Sequence, residues 1–206
     1  AGKDRRVYVN LFLSTRAELS VDGRKLVLAQ GTGYPWNGDI RVKVAQGSAP
    51  FAMNIRIPGW VQGKVLPSTL YTYADDVKLG YRVTVNGDLV AGKLEKGYLS
   101  IDRKWRKGDV VEVHFDMQPR VVKADEKVAD DRGRVAVERG PIVYCAEWCD
   151  NSFDLQSVVL NSRPAFNVVE KPGLLNGICQ ITTAAQTLSR DSSGRIAAQD
   201  VTLTLI

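Results

Sequence analysis

Cysteine is the residue type with the richest chemistry in this chain. Cys145 and Cys149 stand four apart in IVYCAEWCDN and Cys179 follows, three in all and therefore an odd number for a disulfide framework. A structural zinc site takes four Cys or His ligands, commonly as two close pairs, and no second pair answers this one. The single histidine, His114, lies in the strand-like run VVEVHF. It is far in sequence from every thiol, so no neighbouring base marks a cysteine nucleophile. The thiols are expected to be free and mostly buried, and no metal or cofactor is assigned to this chain.

Carboxyl groups could instead serve glycoside hydrolysis, which needs two of them opposed across a cleft at ~5 to 10 Å. Asp22, Asp39, Asp88 and Asp109 flank turns, whereas Glu112 and Asp116 alternate with the apolar residues of a strand. These are solvated positions. The neighbours Asp75 and Asp76, and Asp125 and Glu126, fall in loop-like stretches. No G-x-S-x-G elbow is present, and VNGDLVAGK lacks the spacing of a phosphate-binding loop. No catalytic residue is assigned.

Tryptophans are the remaining candidates. Trp36 in GYPWNGD, Trp60 in IPGW, Trp105 in DRKW and Trp148 in AEW all stand at or near strand ends. An exposed indole can stack on a sugar ring, so Trp36, Trp60 and Trp105 are candidate carbohydrate platforms. The same position in a β-sandwich also suits a ring that caps the core with its N–H satisfied, and that role weighs more for each of them.

The elements that would position these side chains are strands. GDIRVKVAQG sets Ile40, Val42 and Val44 against Arg41 and Lys43, and FAMNIRIPGW sets Phe51, Met53, Ile55 and Ile57 on one parity before Pro58 ends the ladder. Val111, Val113 and Phe115 alternate with Glu112, His114 and Asp116 in the same way. Asp22-Gly23 and Asn86-Gly87 are hairpin turns of the type that needs positive φ at both central residues. VYVNLFLS reads as one strand, residues 61 to 80 as a long loop or an insertion with some local structure, and IVYCAEW as a run buried on both sides. Together these patterns predict an all-β chain of two consecutive β units, built as a sandwich or a barrel should be. The first covers 1 to 118, a charged linker covers 119 to 134, and a second, truncated unit covers 135 to 206.

Composition excludes several function classes. The 28 Lys and Arg are interleaved with 23 Asp and Glu, giving a net charge of +5 without a basic stripe, so no nucleic-acid partner is expected. No apolar run approaches the ~18 residues of a membrane span. The N-terminal AGKDRRVYVNLFLS reads as a strand rather than a signal peptide. A chain that starts in a strand and ends in VTLTLI without a turn residue reads as part of something longer.

Six strings in order, VYVNLFLSTRAEL, GYPWNGDIRVKV, FAMNIRIPGW, VTVNG, GYLSIDRKWRKGDVVEVHFDMQPR and RVAVERGPIVYCAE, resemble the β-L-arabinofuranosidase-like glycoside hydrolases of family 127. The resemblance is firm from residue 7 to about 150 and looser beyond. It implies an N-terminal (α/α)6 barrel, holding a cysteine nucleophile with a zinc ion bound by further cysteines and a glutamate, followed by two β-sandwich domains, so this chain is expected to be all-β, as two consecutive antiparallel β-sandwich, jelly-roll-like units. This sequence begins after the Cys-Cys-Pro segment of that barrel, so Cys145 and Cys149 inherit neither role and zinc is expected only in the barrel.

The implied partners are that barrel and, through an apolar patch left where the barrel docks, a second copy in a homodimer; a glycan is the third. The leading reading is a non-catalytic accessory region serving as scaffold. The second is a carbohydrate-binding module for arabinose-containing plant glycans, and a self-sufficient hydrolase comes last. The compartment stays open, with the periplasm or secretion favoured if the parent protein degrades glycans.

Overall fold

A computed structural model describes Gly2–Lys3 and residues 5 to 206. The chain divides into two compact units, Ala1–Gln118 with Val122–Val135, and Pro119–Val121 with Ala136–Ile206. Among the described residues the only helical elements are short 3-10 turns at Trp60–Gln62, Ala129–Asp131 and Leu155–Ser157. None is long and apolar enough to cross a membrane.

Two sheets enclose the core of the first unit. One runs in the order β1 (Gly2–Lys3), β2 (Arg6–Val9), β6 (Ser48–Arg56), β11 (Tyr98–Arg106), β10 (Leu94–Glu95). The other runs β3 (Thr15–Val21), β4 (Arg24–Thr32), β5 (Asp39–Gln46), β12 (Val110–Phe115), β8 (Tyr81–Val85), β9 (Asp88–Leu89). All their pairings are antiparallel except β2 with β6. The period-2 patterns decide which face closes. Ile40, Val42 and Val44 of β5, Phe51, Met53 and Ile55 of β6, and Val111, Val113 and Phe115 of β12 enter one continuous core. Each such side chain contributes on the order of 1.5 to 3 kcal/mol by leaving water.

Asp22 and Gly23 both have positive φ, 48° and 74°, as do Asn86 and Gly87 at 54° and 91°, so both turns match their sequence signals. The second turn is also locked from outside. Asn86 Nδ2 donates to Asp109 Oδ1 at 2.9 Å, and Val110 N donates to Asn86 Oδ1 at 2.9 Å. Asp109 Oδ2 accepts from Arg106 N at 2.8 Å. One carboxylate thus joins the β8–β9 turn to the β11–β12 turn.

Two local expectations change and one is filled in. VYVNLFLS is a strand only as far as Val9. Beyond it, Gln30 Nε2 on β4 donates to the carbonyls of both Leu11 and Leu13 while Phe12 turns into the core, so a side chain replaces the ladder. Residues 61 to 80, read as a long loop or an insertion with some local structure, contain the short strand β7 (Tyr71–Tyr73). The segment 119 to 134, expected as a charged linker, opens with β13 (Pro119–Ala124), in which Arg120, Val121 and Val122 are buried. Within the first unit Val122 of β13 is registered with Tyr73 of β7.

The second unit contains β15 (Ile142–Tyr144), antiparallel to β14 (Val135–Arg139), and a sheet in which β18 (Ile178–Arg190) pairs with β16 (Val158–Leu160), β17 (Phe166–Lys171) and β19 (Ile196–Leu205). Its core is smaller, built on Val137, Tyr144, Ile181, Ala185, Leu203 and Leu205. Cys145 and Ile206 exchange both backbone hydrogen bonds, at 2.8 and 2.9 Å. Asn151, itself buried, stitches the turn at Glu147 to Thr204 of β19. IVYCAEW is not buried on both sides. Val143 and Trp148 face outward while Tyr144 faces the core, the alternation of a strand with one solvated face.

Burial pushes the Asp109 carboxyl up, but hydrogen bonds from Asn86 and Arg106 and the charges of Arg103 and Arg106 outweigh it, so the acid is held below the ordinary Asp range. A depressed carboxyl contributes stability above its unfolded pKa, near ~3.9, that is lost as pH falls through the folded value. Asp109→Asn is expected to cost about 1 to 3 kcal/mol at neutral pH. In denaturant titrations the gap from wild type should narrow below about pH 4.

Candidate functional site

The four tryptophans separate sharply. Trp105 is 0% exposed, its Nε1–H donates to the Phe51 carbonyl at 2.9 Å, and its ring lies 5.7 Å from the Phe51 ring. Trp60 is 7% exposed, stands edge-on to Phe115 and points its Nε1 at the Tyr34 hydroxyl, 3.4 Å away. Neither can offer a face to a sugar, so both are core rings and the platform reading of Trp60 and Trp105 is corrected. Trp36 is 37% exposed on the β4–β5 loop, and Trp148 is 60% exposed in the second unit.

The loop that carries Trp36 is firmly held. Tyr34 packs edge-on to Phe12, and its N–H donates to Thr32 Oγ1 at 2.9 Å. Gly38 lies so close to β12 that a Cβ would sit 1.9 Å from the Phe115 carbonyl oxygen. Only glycine permits that approach. Asn37 Oδ1 accepts from Asp39 N at 3.1 Å and closes the turn into β5.

Beside this loop, the outer face of β4, β5, β12, β8 and β9 forms an open groove of about 890 Å3. Inward-facing valines and isoleucines leave the opposite parity to solvent, and the register places those outward residues in two rungs. Arg41, Glu112 and Thr84 lie side by side on β5, β12 and β8. One step along, Asp39, His114 and Arg82 do the same.

His114 Nδ1 is 2.6 Å from Asp39 Oδ1, where a ring N–H donates to the carboxylate, and its Nε2 is 3.5 Å from Asp116 Oδ1. Arg41 Nε stands 3.6 Å from Glu112 Oε1. Both imidazole nitrogens therefore face carboxylates rather than a hydroxyl or thiol nucleophile. The arrangement is one for hydrogen bonding a ligand.

Asp39, Glu112 and Asp116 are solvated, as their sequence positions predict, and His114 is half-buried; that the four are neighbours is not among the sequence expectations. Their shared outward parity was a usable signal; the pairing of β5 with β12 across some 70 positions was not. Two carboxylates of the loop-like stretches serve turns. Asp75 Oδ1 accepts from Val77 N and Asp125 Oδ1 from Lys127 N.

The cysteines also depart from expectation. Cys179 is buried, but Cys145 and Cys149 are exposed. Glu147, Cys149 and Asp150 bring three ligand-type atoms within 4.8 Å of one another. The Glu147 carboxylate, which accepts from the Cys149 thiol, and the charge of Asp150 hold that thiol above its usual pKa. Zinc needs a thiolate. With one cysteine and two carboxylates, this exposed turn differs in ligand type from the set of several cysteines and a glutamate that the resemblance implies.

The described residues form an all-β chain with a polar groove on one sheet. Comparison with known proteins gives the family. Residues 6 to 117 match the model of the β-L-arabinofuranosidase GH127 middle domain, and residues 119 to 205 match that of the glycoside hydrolase family 127 C-terminal domain. The chain belongs to glycoside hydrolase family 127.

It is similar to the non-reducing end β-L-arabinofuranosidase of Bifidobacterium longum subsp. longum, with 33% identity over 159 residues, which are 73% of this chain and 21% of that protein. Among solved structures it is similar to a GH127 β-arabinofuranosidase, at 62% identity and a TM-score of 0.97 over 100% of this chain and 32% of the other. A GH127 β-L-arabinofuranosidase from Geobacillus stearothermophilus T6 follows at 29% identity and a TM-score of 0.86, over 100% of this chain and 31% of the other. The chain thus spans about a fifth to a third of the length of these relatives.

These exposures predict a chemical pattern. N-bromosuccinimide should oxidise Trp36 and Trp148 before Trp60 and Trp105, as read by peptide mass spectrometry. Ellman's reagent should titrate Cys145 and Cys149 in the native protein and reach Cys179 only after denaturation.

Proposed function

We propose that this chain is the non-catalytic β region of a larger glycoside hydrolase of the β-L-arabinofuranosidase type, and that it acts as scaffold for an (α/α)6 catalytic barrel. The observation that carries this reading is the match of its two units to the middle and C-terminal domains of the family, together with the small share of each relative that it covers. A middle domain is preceded by another. Leu11 and Leu13, exposed on either side of buried Phe12 at the start of the first unit, are suited to lie under that domain. An uncovered apolar patch of this kind also favours association of copies. The cysteine and glutamate ligands for zinc belong to the barrel in this reading.

A second reading, contact with arabinose-containing glycans, draws support from one observation: Trp36 is partly exposed on a rigid loop beside the polar groove. It would make the same region a tether as well as a scaffold.

The test of the scaffold role uses an aryl β-L-arabinofuranoside. The chain alone should give no hydrolysis above buffer, and the full-length parent should hydrolyse it. The parent carrying Leu11→Asp and Leu13→Asp should lose thermal stability, with a Tm several degrees lower, while the isolated chain keeps its own Tm. Hydrolysis by the chain alone at the rate of the parent would overturn the reading. So would an unchanged parent Tm in the double variant.

A further inference from the structure

We propose that the groove across β5, β12 and β8 is a binding site for a neutral saccharide chain, with Arg41, Glu112, Asp39 and His114 as its hydrogen-bonding floor. This deepens the glycan-contact reading and rests on it, but it assigns the contacts to the sheet face rather than to the indole of Trp36.

Gly31 carries the argument. It lies inside β4, where glycine weakens a strand and commonly marks a place that something else approaches closely. The other glycines near the groove have internal reasons: a Cβ on Gly33 would sit 2.4 Å from Asn37 Nδ2, and one on Gly38 would strike β12. A Cβ on Gly31 would meet nothing within 4 Å, and its φ is not in the left-handed region. No packing or backbone demand explains this glycine. It is registered with Arg41, so its missing side chain extends the Arg41–Glu112–Thr84 rung into an open end of the groove.

The chemistry of the rungs selects the ligand. Donor and acceptor groups alternate across strands spaced ~4.8 Å apart, and the two rungs are two residues, ~6.7 Å, apart along the strand. A sugar hydroxyl both donates and accepts, which suits carboxylates set among guanidinium and imidazole groups. The 3.6 Å Arg41–Glu112 contact is longer than a hydrogen bond, leaving both groups with capacity for a ligand. Among the lining residues Arg41 and Arg82 balance Asp39 and Glu112 in formal charge, and with Asp116 beside His114 no positive excess draws a phosphate or a nucleic acid. At about 890 Å3 the groove is at the upper end of ligand-site volumes, room for several sugar units rather than one.

Affinity electrophoresis of the chain through gels containing arabinan, arabinogalactan, xylan or β-glucan tests this, with polygalacturonate as the anionic arm. Retardation by at least one neutral polysaccharide is expected. Gly31→Phe, whose Cβ would meet nothing within 4 Å and whose ring would occupy the open end of the groove, and Glu112→Ala, which removes a charge-assisted hydrogen bond, should each raise the apparent Kd about tenfold or more. Ser100→Ala on the other sheet should change nothing, and matching Tm values for all variants would establish folding.

Retardation abolished by Trp36→Ala but untouched by Gly31→Phe and Glu112→Ala would overturn the groove while leaving the Trp36 reading standing. No retardation by any neutral polysaccharide, or by polygalacturonate alone, overturns both. Retardation of the chain but not of the full-length parent would overturn the groove as a site of the assembled enzyme.

Discussion

Two sheets close over one core in the first unit because the same parity of side chain is apolar along β5, β6, β8, β11 and β12. Everything else in the unit depends on that alternation. Slipping any of these strands by one residue would carry Arg41, His114 or Asp102 inward and expose the valines. The nine registered pairs between β6 and β11 therefore hold more than a ladder. They place Trp105 beside Phe51, and a ring fully enclosed there cannot be removed without a cavity costing about 3 to 5 kcal/mol.

The groove is the other side of this constraint. A sheet with one dry face must send its alternate residues to water, and in β5, β12 and β8 those residues are charged or hydroxylated. Their order across the sheet turns a solvated surface into a patterned one. The Asp109 and Asn86 interlock then fixes the far end of β8 and β12, and Gly38 fixes the near end against Phe115, so the rungs stand on a surface with little freedom to shift.

The two units differ in how they are stabilised. The first has a large aromatic and aliphatic core that includes Phe12, Trp60, Trp105 and Phe115. The second has a small core and relies on specific polar ties, including Asn151 to Thr204 and the Cys145–Ile206 pair. Such ties are directional and barely visible in composition. That is why strand parity foresaw the first unit well, while the exposure of Val143, Cys145, Cys149 and Trp148 went against expectation.

Local pattern determined much of this protein. Alternation in GDIRVKV and FAMNIRI, the Asp22-Gly23 and Asn86-Gly87 turns, and the ordered strings of the family are properties of neighbouring residues, and each is legible where it stands. Tertiary structure decided what only long-range pairing can: that Trp60 and Trp105 are core rings while Trp36 is not, that Gln30 ends the first strand, and that Asp39, Arg41, Glu112 and His114 share a groove. The physical reason is range. A period of two is set by the backbone of a single strand, whereas the neighbours of a side chain are set by which strands pair and in what register, and that depends on the whole core closing at once.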